Sequence, residues 1–222
     1  MFSNLNFSFI PGFSRLFLDF ISGSAFFDSR FPFNESLFNN KPEILKRNSS
    51  IKQRTDTKKL LISSMNSIEL THKQKNNLEL FTGQNTFTVM TGQQVGFLGG
   101  PLYTFYKTAT VIALAEKLKS IYPDLNFIPV FWVEDNDHDN FEASQNRLFD
   151  KSYGIKGFSC ESGLIKDDRT PVSELIFSES IHNIIANIET ELPETEFKHG
   201  LTEFLKSIYR TGESWCDAFI SF

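Results

Sequence analysis

The chain has 222 residues, of which 40% are hydrophobic and 22% are charged, a composition that predicts one large folded domain and excludes disordered and collagen-like chains. Its net charge of −5 argues against a nucleic-acid partner, and its apolar stretches are shorter than the roughly 18 residues of a membrane span, which argues against a membrane protein. Cys160 and Cys216 lack the spacing of zinc ligands, so we expect two reduced thiols in a cytoplasmic protein.

Residues 1–84 are predicted to form an N-terminal helical segment that packs on the core. Its first helix is indicated by Leu16, Phe17 and Phe20, which share one helical face and are followed by Gly23 as the end of the helix. The further elements predicted in this segment are an aromatic loop over 26–40, a polar helix over 51–70, and a helix that Thr71 caps and Gly83 ends.

Residues 85–145 are predicted to form a strand–helix–strand unit. The β-branched and apolar run 86–90 indicates a buried strand, helix formers fill 102–120, and 127–133 is a second apolar strand. Such a crossover is right-handed and makes the two strands parallel. The apolar face that we expect the helix to bury comprises Leu102, Phe105, Ala109, Ile112 and Ala113.

The loops that follow the two strands are expected to share one crevice. Residues 91–101 follow the first strand, and residues 134–139 follow the second. Parallel strands end on the same rim of a sheet, which is where open α/β folds bind their ligands. The topology therefore places a glycine-rich loop and an acidic loop side by side, although they are distant in sequence.

Residues 146–222 are predicted to form a connecting insertion. The isoleucines of 181–188 recur at helical spacing, and Pro193 ends that helix. The apolar run 214–222 resembles an interrupted helix, and we expect it to lack packing partners. The elements predicted in the insertion are a β-hairpin over 146–150 and 154–160, a strand over 172–177, and helices over 181–192 and 194–209.

The glycine-rich stretch after the first strand is the strongest functional signal in the sequence. Glycines let a backbone approach a ligand closely and direct its N–H groups at it, and the following helix adds partial positive charge at its N-terminus. The stretch matches neither the phosphate-loop pattern nor the dinucleotide-binding pattern, so an anion-binding loop and a tight turn without a ligand both stay open. The candidate substrate-binding residues are Thr91, Gly92, Gln93, Gln94, Gly96, Gly99, Gly100, Pro101, Tyr103 and Lys107.

Asp137, His138 and Asp139 are the candidate catalytic residues. A histidine between carboxylates can act as a general base, contact a substrate or bind a metal, and a carboxylate can orient it and raise its pKa. The sequence offers too few further ligands for a metal site, and we expect none. The remaining interpretation is an aspartate that caps a helix beside a solvated histidine.

Two sequence blocks carry a family resemblance. They are TGQQVGFLGGPLYTFYK over 91–107 and FIPVFWVEDNDHD over 127–139, accompanied by PGFSRLFLDF over 11–20 and LPETEF over 192–197. Together they resemble the bacillithiol biosynthesis cysteine-adding enzyme family over essentially the whole chain. The resemblance implies an α/β fold with a Rossmann-like, nucleotidyltransferase-like parallel sheet core, N-terminal helices, and a β-hairpin with a helical insertion. It also implies that the chain is incomplete relative to the family and is its N-terminal part.

The same resemblance implies a ligase that joins two small-molecule substrates, cysteine and glucosaminyl-malate, in bacillithiol synthesis. It makes ATP or another adenine nucleotide a candidate cofactor, and it implies a homodimer for the full-length family, though not for this fragment. The substrate crevice would be built from 91–101, Tyr103 and 137–139. The alternative is a catalytically inactive fragment, or a non-catalytic ligand-binding protein of the same fold.

Overall fold

The chain divides into two compact units, Met1–Ile51 and Lys52–Phe222. The predicted aromatic loop over 26–40 lies outside the described residues, and the predicted division into three segments stays a prediction. The computed structural model describes residues 6–23, 41–46, 51–65, 68–163 and 169–222.

The first unit contains the predicted short helix, which is confirmed as α1 (Arg15–Ile21). The hydroxyl of Ser14 accepts a hydrogen bond from the Phe17 backbone N–H at 3.2 Å, which satisfies one of the free donors of the first turn. Gly23 follows the helix with a φ of +67°, the left-handed conformation that commonly ends helices. A second helix in this unit, α2, spans Lys41–Lys46.

Two helices precede the sheet of the second unit. The helix α3 (Ile51–Ser64) is shorter than the predicted helix over 51–70. The helix α4 (His72–Leu80) confirms the predicted cap at Thr71. The cap is reciprocal, since Gln74 N–H donates to the Thr71 hydroxyl and Thr71 N–H donates to the Gln74 side chain.

The predicted strand–helix–strand unit is confirmed as β1 (Thr86–Gln94), α5 (Leu102–Ile121) and β2 (Asn126–Glu134). The two strands are parallel and in register from the Thr86–Asn126 pair to the Gln94–Glu134 pair. The crossover helix contacts both strands.

The prediction that the loop begins at Thr91 is wrong, because β1 continues to Gln94. The ladder with β2 extends over these four residues, and the next backbone N–H, that of Val95, still donates to Glu134 at 3.2 Å. Gly92 lies opposite Trp132, and a Cβ there would be 2.7 Å from the Trp132 carbonyl oxygen. The glycine therefore marks a close approach of two strands and not the start of a loop.

The predicted buried face of α5 is also wrong. The side chains that α5 buries are those of Thr104, Val111, Ala115 and Leu118. The helix is apolar on more than one side, so its hydropathy does not select the side that packs on the sheet. The residues that were predicted to be buried lie on the exposed surface instead, and they are Leu102, Phe105, Ala109, Ile112 and Ala113.

The hairpin of the insertion is confirmed as β3 (Gln145–Phe149) and β4 (Ile155–Ser159), which pair antiparallel. The predicted strand over 172–177 is wrong. Its first residues form a single 3₁₀ turn at Val172–Glu174, because the N–H groups of Val172 and Ser173 donate to carbonyl oxygens of the acidic loop after β2. Beyond that turn, the segment forms isolated β-bridges in place of a strand.

A short helix, α6 (Asn140–Ala143), follows β2. Three further helices complete the described part of the insertion. The predicted helix over 181–192 is confirmed as α7 (Ile181–Glu191), whereas the helix predicted over 194–209 begins later, as α8 (Lys198–Ile208). The run 214–222 forms α9 (Trp215–Ser221), capped by Ser214. The expectation that this run lacks packing partners is wrong, since Trp215, Ala218 and Phe219 are buried.

The main hydrophobic core lies where the hairpin and α7 to α9 meet the end of β1. Val95, Phe97 and Leu98 directly follow β1 and are buried in this core. The backbone that leaves β1 is thus enclosed by elements that come much later in the chain. Within the described residues, none of the helices is long and apolar enough to cross a bilayer.

Gly92→Ala should destabilise the second unit by about 1–3 kcal/mol, the usual cost of overpacking, because the new Cβ would press on the Trp132 carbonyl oxygen in the ladder. Urea unfolding followed by circular dichroism measures the change. Gly157→Ala is the matched control, since this strand glycine has nothing within 4 Å of a Cβ position and alanine suits a strand better than glycine. Equal effects of the two substitutions would contradict the close-approach explanation.

Candidate functional site

The ends of β1 and β2 border one crevice, which confirms the prediction that the two loops face each other. The Gln94 side chain donates from Nε2 to Asp137 Oδ2 across it. The space that its walls enclose is small, about 20 Å³, which is enough for roughly one water molecule. The lining residues are Gln93, Gln94, Val95, Gly96, Gly100, Pro101, Asp137, Asp139, Glu142, Ala143 and Val172.

One wall of the crevice is the glycine turn, which we define as Gly96–Gly100. Three of its residues in a row have positive φ: Leu98 at +53°, Gly99 at +74° and Gly100 at +72°. A Cβ on Gly96 would lie 2.8 Å from the Gly100 Cα, so the turn folds back tightly on itself. Glycine suits both the backbone conformation and this close approach.

Two side chains that the sequence did not single out bind the glycine turn. Asn146 donates from Nδ2 to the carbonyl oxygens of Phe97 at 2.8 Å and Gly100 at 2.9 Å, and the Tyr209 hydroxyl accepts from the Leu98 N–H at 2.8 Å. Both residues lie far from the turn in sequence. No local pattern links them to it, and only the assembled fold reveals the contacts.

The opposite wall of the crevice is acidic. Asp137, Asp139 and Glu142 line it, and Glu142 was missed by sequence reasoning. Asp139 caps the short helix α6 (Asn140–Ala143) by accepting from the Glu142 N–H at 2.9 Å, so the helix-capping interpretation of this aspartate is correct. Among the described lining residues there is neither Lys nor Arg, and the wall therefore offers acceptors to a ligand that donates hydrogen bonds.

Hydrogen bonds keep the Asp137 carboxylate ionised. The Gln94 amide is the main cause that lowers its pKa, followed by the Asp139 backbone N–H, which donates at 3.1 Å. Because the pKa is lower in the folded chain than in the unfolded chain, the carboxylate stabilises the fold above its ordinary pKa. That contribution is lost as the pH falls through the lowered pKa.

His138 lies beside the crevice and does not line it. Its side chain is 64% exposed, and its Nδ1 is 3.9 Å from Asp137 Oδ1, beyond hydrogen-bond distance. Asp137 therefore does not orient the imidazole in this conformation, and a catalytic role of His138 stays a prediction. Within the ranges that the structure describes, no cluster of three or more His, Cys, Asp or Glu side chains is arranged to hold a metal ion.

Lys107 and Tyr103 reach the crevice through Gln93. Lys107 Nζ donates to Gln93 Oε1 at 2.7 Å, and Gln93 Nε2 donates to the Tyr103 hydroxyl at 3.3 Å. The ammonium also lies 5.1 Å from the centre of the Tyr103 ring, a cation–π contact. The predicted site residues outside the lining are Thr91, Gly92, Gly99, Tyr103, Lys107 and His138.

A parallel strand–helix–strand unit with a crevice at the carboxyl ends of its strands is typical of a Rossmann-like domain. Residues 5–222 match the family described as "Bacillithiol biosynthesis BshC, N-terminal Rossmann-like domain". The chain belongs to this BshC family, as the resemblance of its two sequence blocks predicted.

Two relatives illustrate the similarity. A protein of Chlorobaculum tepidum named "Putative cysteine ligase BshC" is 34% identical over 161 residues, which are 72% of this chain and 28% of the relative. A protein of the same name from Chloroherpeton thalassium is 30% identical over 217 residues, which are 93% of this chain and 38% of the relative. The chain thus spans about a third of the length of these relatives.

Gln94→Ala should raise the pKa of Asp137 toward its ordinary value, because the main hydrogen bond to the ionised carboxylate is lost. Titration of the carboxyl carbon by NMR measures the shift. Gln93→Ala is the matched control, since the Gln93 amide bonds Lys107 and Tyr103 instead. An unchanged Asp137 pKa in Gln94→Ala would show that the amide does not hold the carboxylate.

Proposed function

We propose that this chain supplies the substrate crevice of a ligase that joins cysteine to the amine of glucosaminyl-malate in bacillithiol synthesis. The observation that carries the proposal is the family match over 5–222, combined with a crevice whose lining includes residues of both motif blocks. The names of the relatives support a cysteine ligase. ATP or another adenine nucleotide is the proposed source of activation for the carboxylate.

The acidic wall suits the amine-bearing substrate. An amine is protonated near neutral pH and offers only hydrogen-bond donors, whereas Asp137, Asp139 and Glu142 offer carboxylate acceptors. Gln94 donates its amide N–H to Asp137, which leaves its amide oxygen as a further acceptor. The crevice therefore favours an ammonium group over the phosphate or carboxylate that a glycine-rich loop alone would suggest.

Asp137 and His138 take different roles in the proposed reaction. Amide formation joins the amine nitrogen to the activated carboxyl carbon and breaks the bond from that carbon to the activating group, which leaves with the bonding electrons. The nitrogen needs a free electron pair for this attack, so the ammonium must first lose a proton. Asp137 is a weak base because its pKa is lowered, and it holds and orients the ammonium. His138 is the proposed proton acceptor, and its exposed ring turns toward the crevice when substrate is bound.

The second candidate function is ligand binding without catalysis. The position of His138 favours it, since the imidazole lies outside the lining and 3.9 Å from its nearest carboxylate. A domain of this kind would bind the amine substrate and leave the reaction to the part of the protein that the relatives have and this chain does not span.

Product formation separates the two functions. The 222-residue chain, and a longer protein that extends it to the length of the relatives if the genome encodes one, are incubated with cysteine, glucosaminyl-malate and ATP, and the thiol product is measured by mass spectrometry. A ligase yields product that depends on the protein. A binding domain retains glucosaminyl-malate in equilibrium dialysis but forms no product. If the protein neither forms product nor retains glucosaminyl-malate, the proposed function is refuted.

His138→Ala should lower kcat by about 10²- to 10⁴-fold, as is typical for loss of a general base, with little change in melting temperature because the side chain is exposed. Asp137→Asn should mainly raise the KM of the amine substrate, since the ammonium loses its charged partner. Steady-state kinetics of the active form measure both. His199→Ala is the control for the loss of an exposed histidine, and wild-type kcat in His138→Ala would remove this residue from the mechanism.

A further inference from the structure

We infer that Tyr209 and Asn146 are positioning residues that hold the glycine turn in the shape that forms the crevice wall. Neither side chain lines the crevice, so each acts through the turn and not on the substrate. The inference deepens the proposed function and rests on it for the identity of the substrate. The shape of the turn is testable without any substrate.

The glycine turn needs external support because its backbone is strained. Leu98 has a Cβ and yet adopts a left-handed conformation with φ +53° and ψ +42°, which residues other than glycine, asparagine and aspartate rarely adopt. Such a conformation persists only where the surrounding structure stabilises it. Leu98 is also buried, so its backbone N–H needs a partner within the protein.

Tyr209 provides that partner. Its hydroxyl oxygen lies 2.8 Å from the Leu98 nitrogen, and the residue is only 1% exposed. The ring is fixed by edge-on contacts with Phe97 at 5.1 Å and Phe177 at 5.3 Å between ring centres. Burial raises the pKa of Tyr209 above its ordinary value, so the phenol stays neutral and its oxygen remains a steady acceptor.

Asn146 supports the carbonyl side of the same turn. Its Nδ2 lies 2.8 Å from the Phe97 carbonyl oxygen, 3.3 Å from that of Leu98 and 2.9 Å from that of Gly100. The amide orientation is fixed because Oδ1 accepts the Arg147 backbone N–H at 2.7 Å. One side-chain NH₂ group from β3 thus bridges most of the turn, and a carboxylate in its place would repel the same oxygens.

The supported turn sets the width of the crevice. Gly96 and Gly100 line it together with Pro101, the residue before α5, and they face the wall that contains Asp137 and Asp139. A displacement of the turn would therefore change the distance between the two walls. The contacts of Tyr209 and Asn146 link that distance to α8 and β3, elements that contribute no lining residue.

Tyr209→Phe is the first test, because it removes the acceptor and keeps the ring that packs on Phe97. Hydrogen exchange followed by NMR should show the Leu98 amide exchanging about tenfold faster, the factor that one buried hydrogen bond is typically worth, while the amides of β1 keep their protection. Tyr122→Phe is the matched control, since Tyr122 is also buried but lies at the far end of α5. It should leave Leu98 exchange unchanged.

Asn146→Asp is the second test, because it keeps the side-chain shape and removes the donor. We expect shifted backbone resonances at Gly96 and Gly100, and a Kd for glucosaminyl-malate that rises by about tenfold in both Asn146→Asp and Tyr209→Phe. In an active form of the protein, KM for the amine substrate should rise more than kcat falls. If Tyr209 and Asn146 only stabilised the fold, the substitutions would lower the melting temperature without raising KM more than they lower kcat.

The outcomes separate the positioning role from the proposed function. Unchanged Leu98 exchange in Tyr209→Phe, or equal effects in Tyr122→Phe, overturns the positioning role. Faster exchange at Leu98 with an unchanged Kd overturns the link to substrate binding. If the wild-type chain binds neither cysteine nor glucosaminyl-malate, the proposed function fails, and the positioning of the turn is still decided by the exchange rates and the resonances of Gly96 and Gly100.

Discussion

The parallel pairing of β1 with β2 is the constraint on which the rest of the second unit depends. Nine residues of each strand are in register, so the two strands end at the same level and Gln94 lies beside the acidic loop. Gly92 permits this pairing where Trp132 comes closest. A shift of the register by one residue would turn Gln94 to the other face of the sheet and away from Asp137.

The two walls of the crevice are built on different principles. The glycine turn presents backbone atoms and is neutral, whereas the opposite wall presents carboxylates. The acidic loop is itself anchored through its main chain, since the carbonyl oxygens of Asp135 and Asp137 accept from Ser173 and Val172. Because the backbone provides this anchoring, the Asp137 side chain is left to bond Gln94 and to meet a ligand.

Sequence patterns predicted β1, β2, the hairpin and the shared crevice, because these rest on local periodicity or on a general rule of parallel sheets. The buried face of α5 could not be chosen, since apolar side chains occur on several of its sides and packing decides among them. The roles of Asn146 and Tyr209 had no local signal, as their partners lie at least 46 residues away. The sequence Asp137-His138-Asp139 suggested an oriented imidazole, yet the carboxylates bond backbone N–H groups and Gln94 instead.

The hydrogen bond between Leu98 and Tyr209 joins residues 111 positions apart in sequence, and this separation constrains the order of folding. Contacts within the strand–helix–strand unit close shorter loops and cost less chain entropy, so they form more readily. On the ribosome, the turn after β1 emerges long before its acceptor on the C-terminal side of α8. The nascent chain therefore carries an unfinished crevice wall, which acquires its final conformation only after the insertion has docked on the sheet.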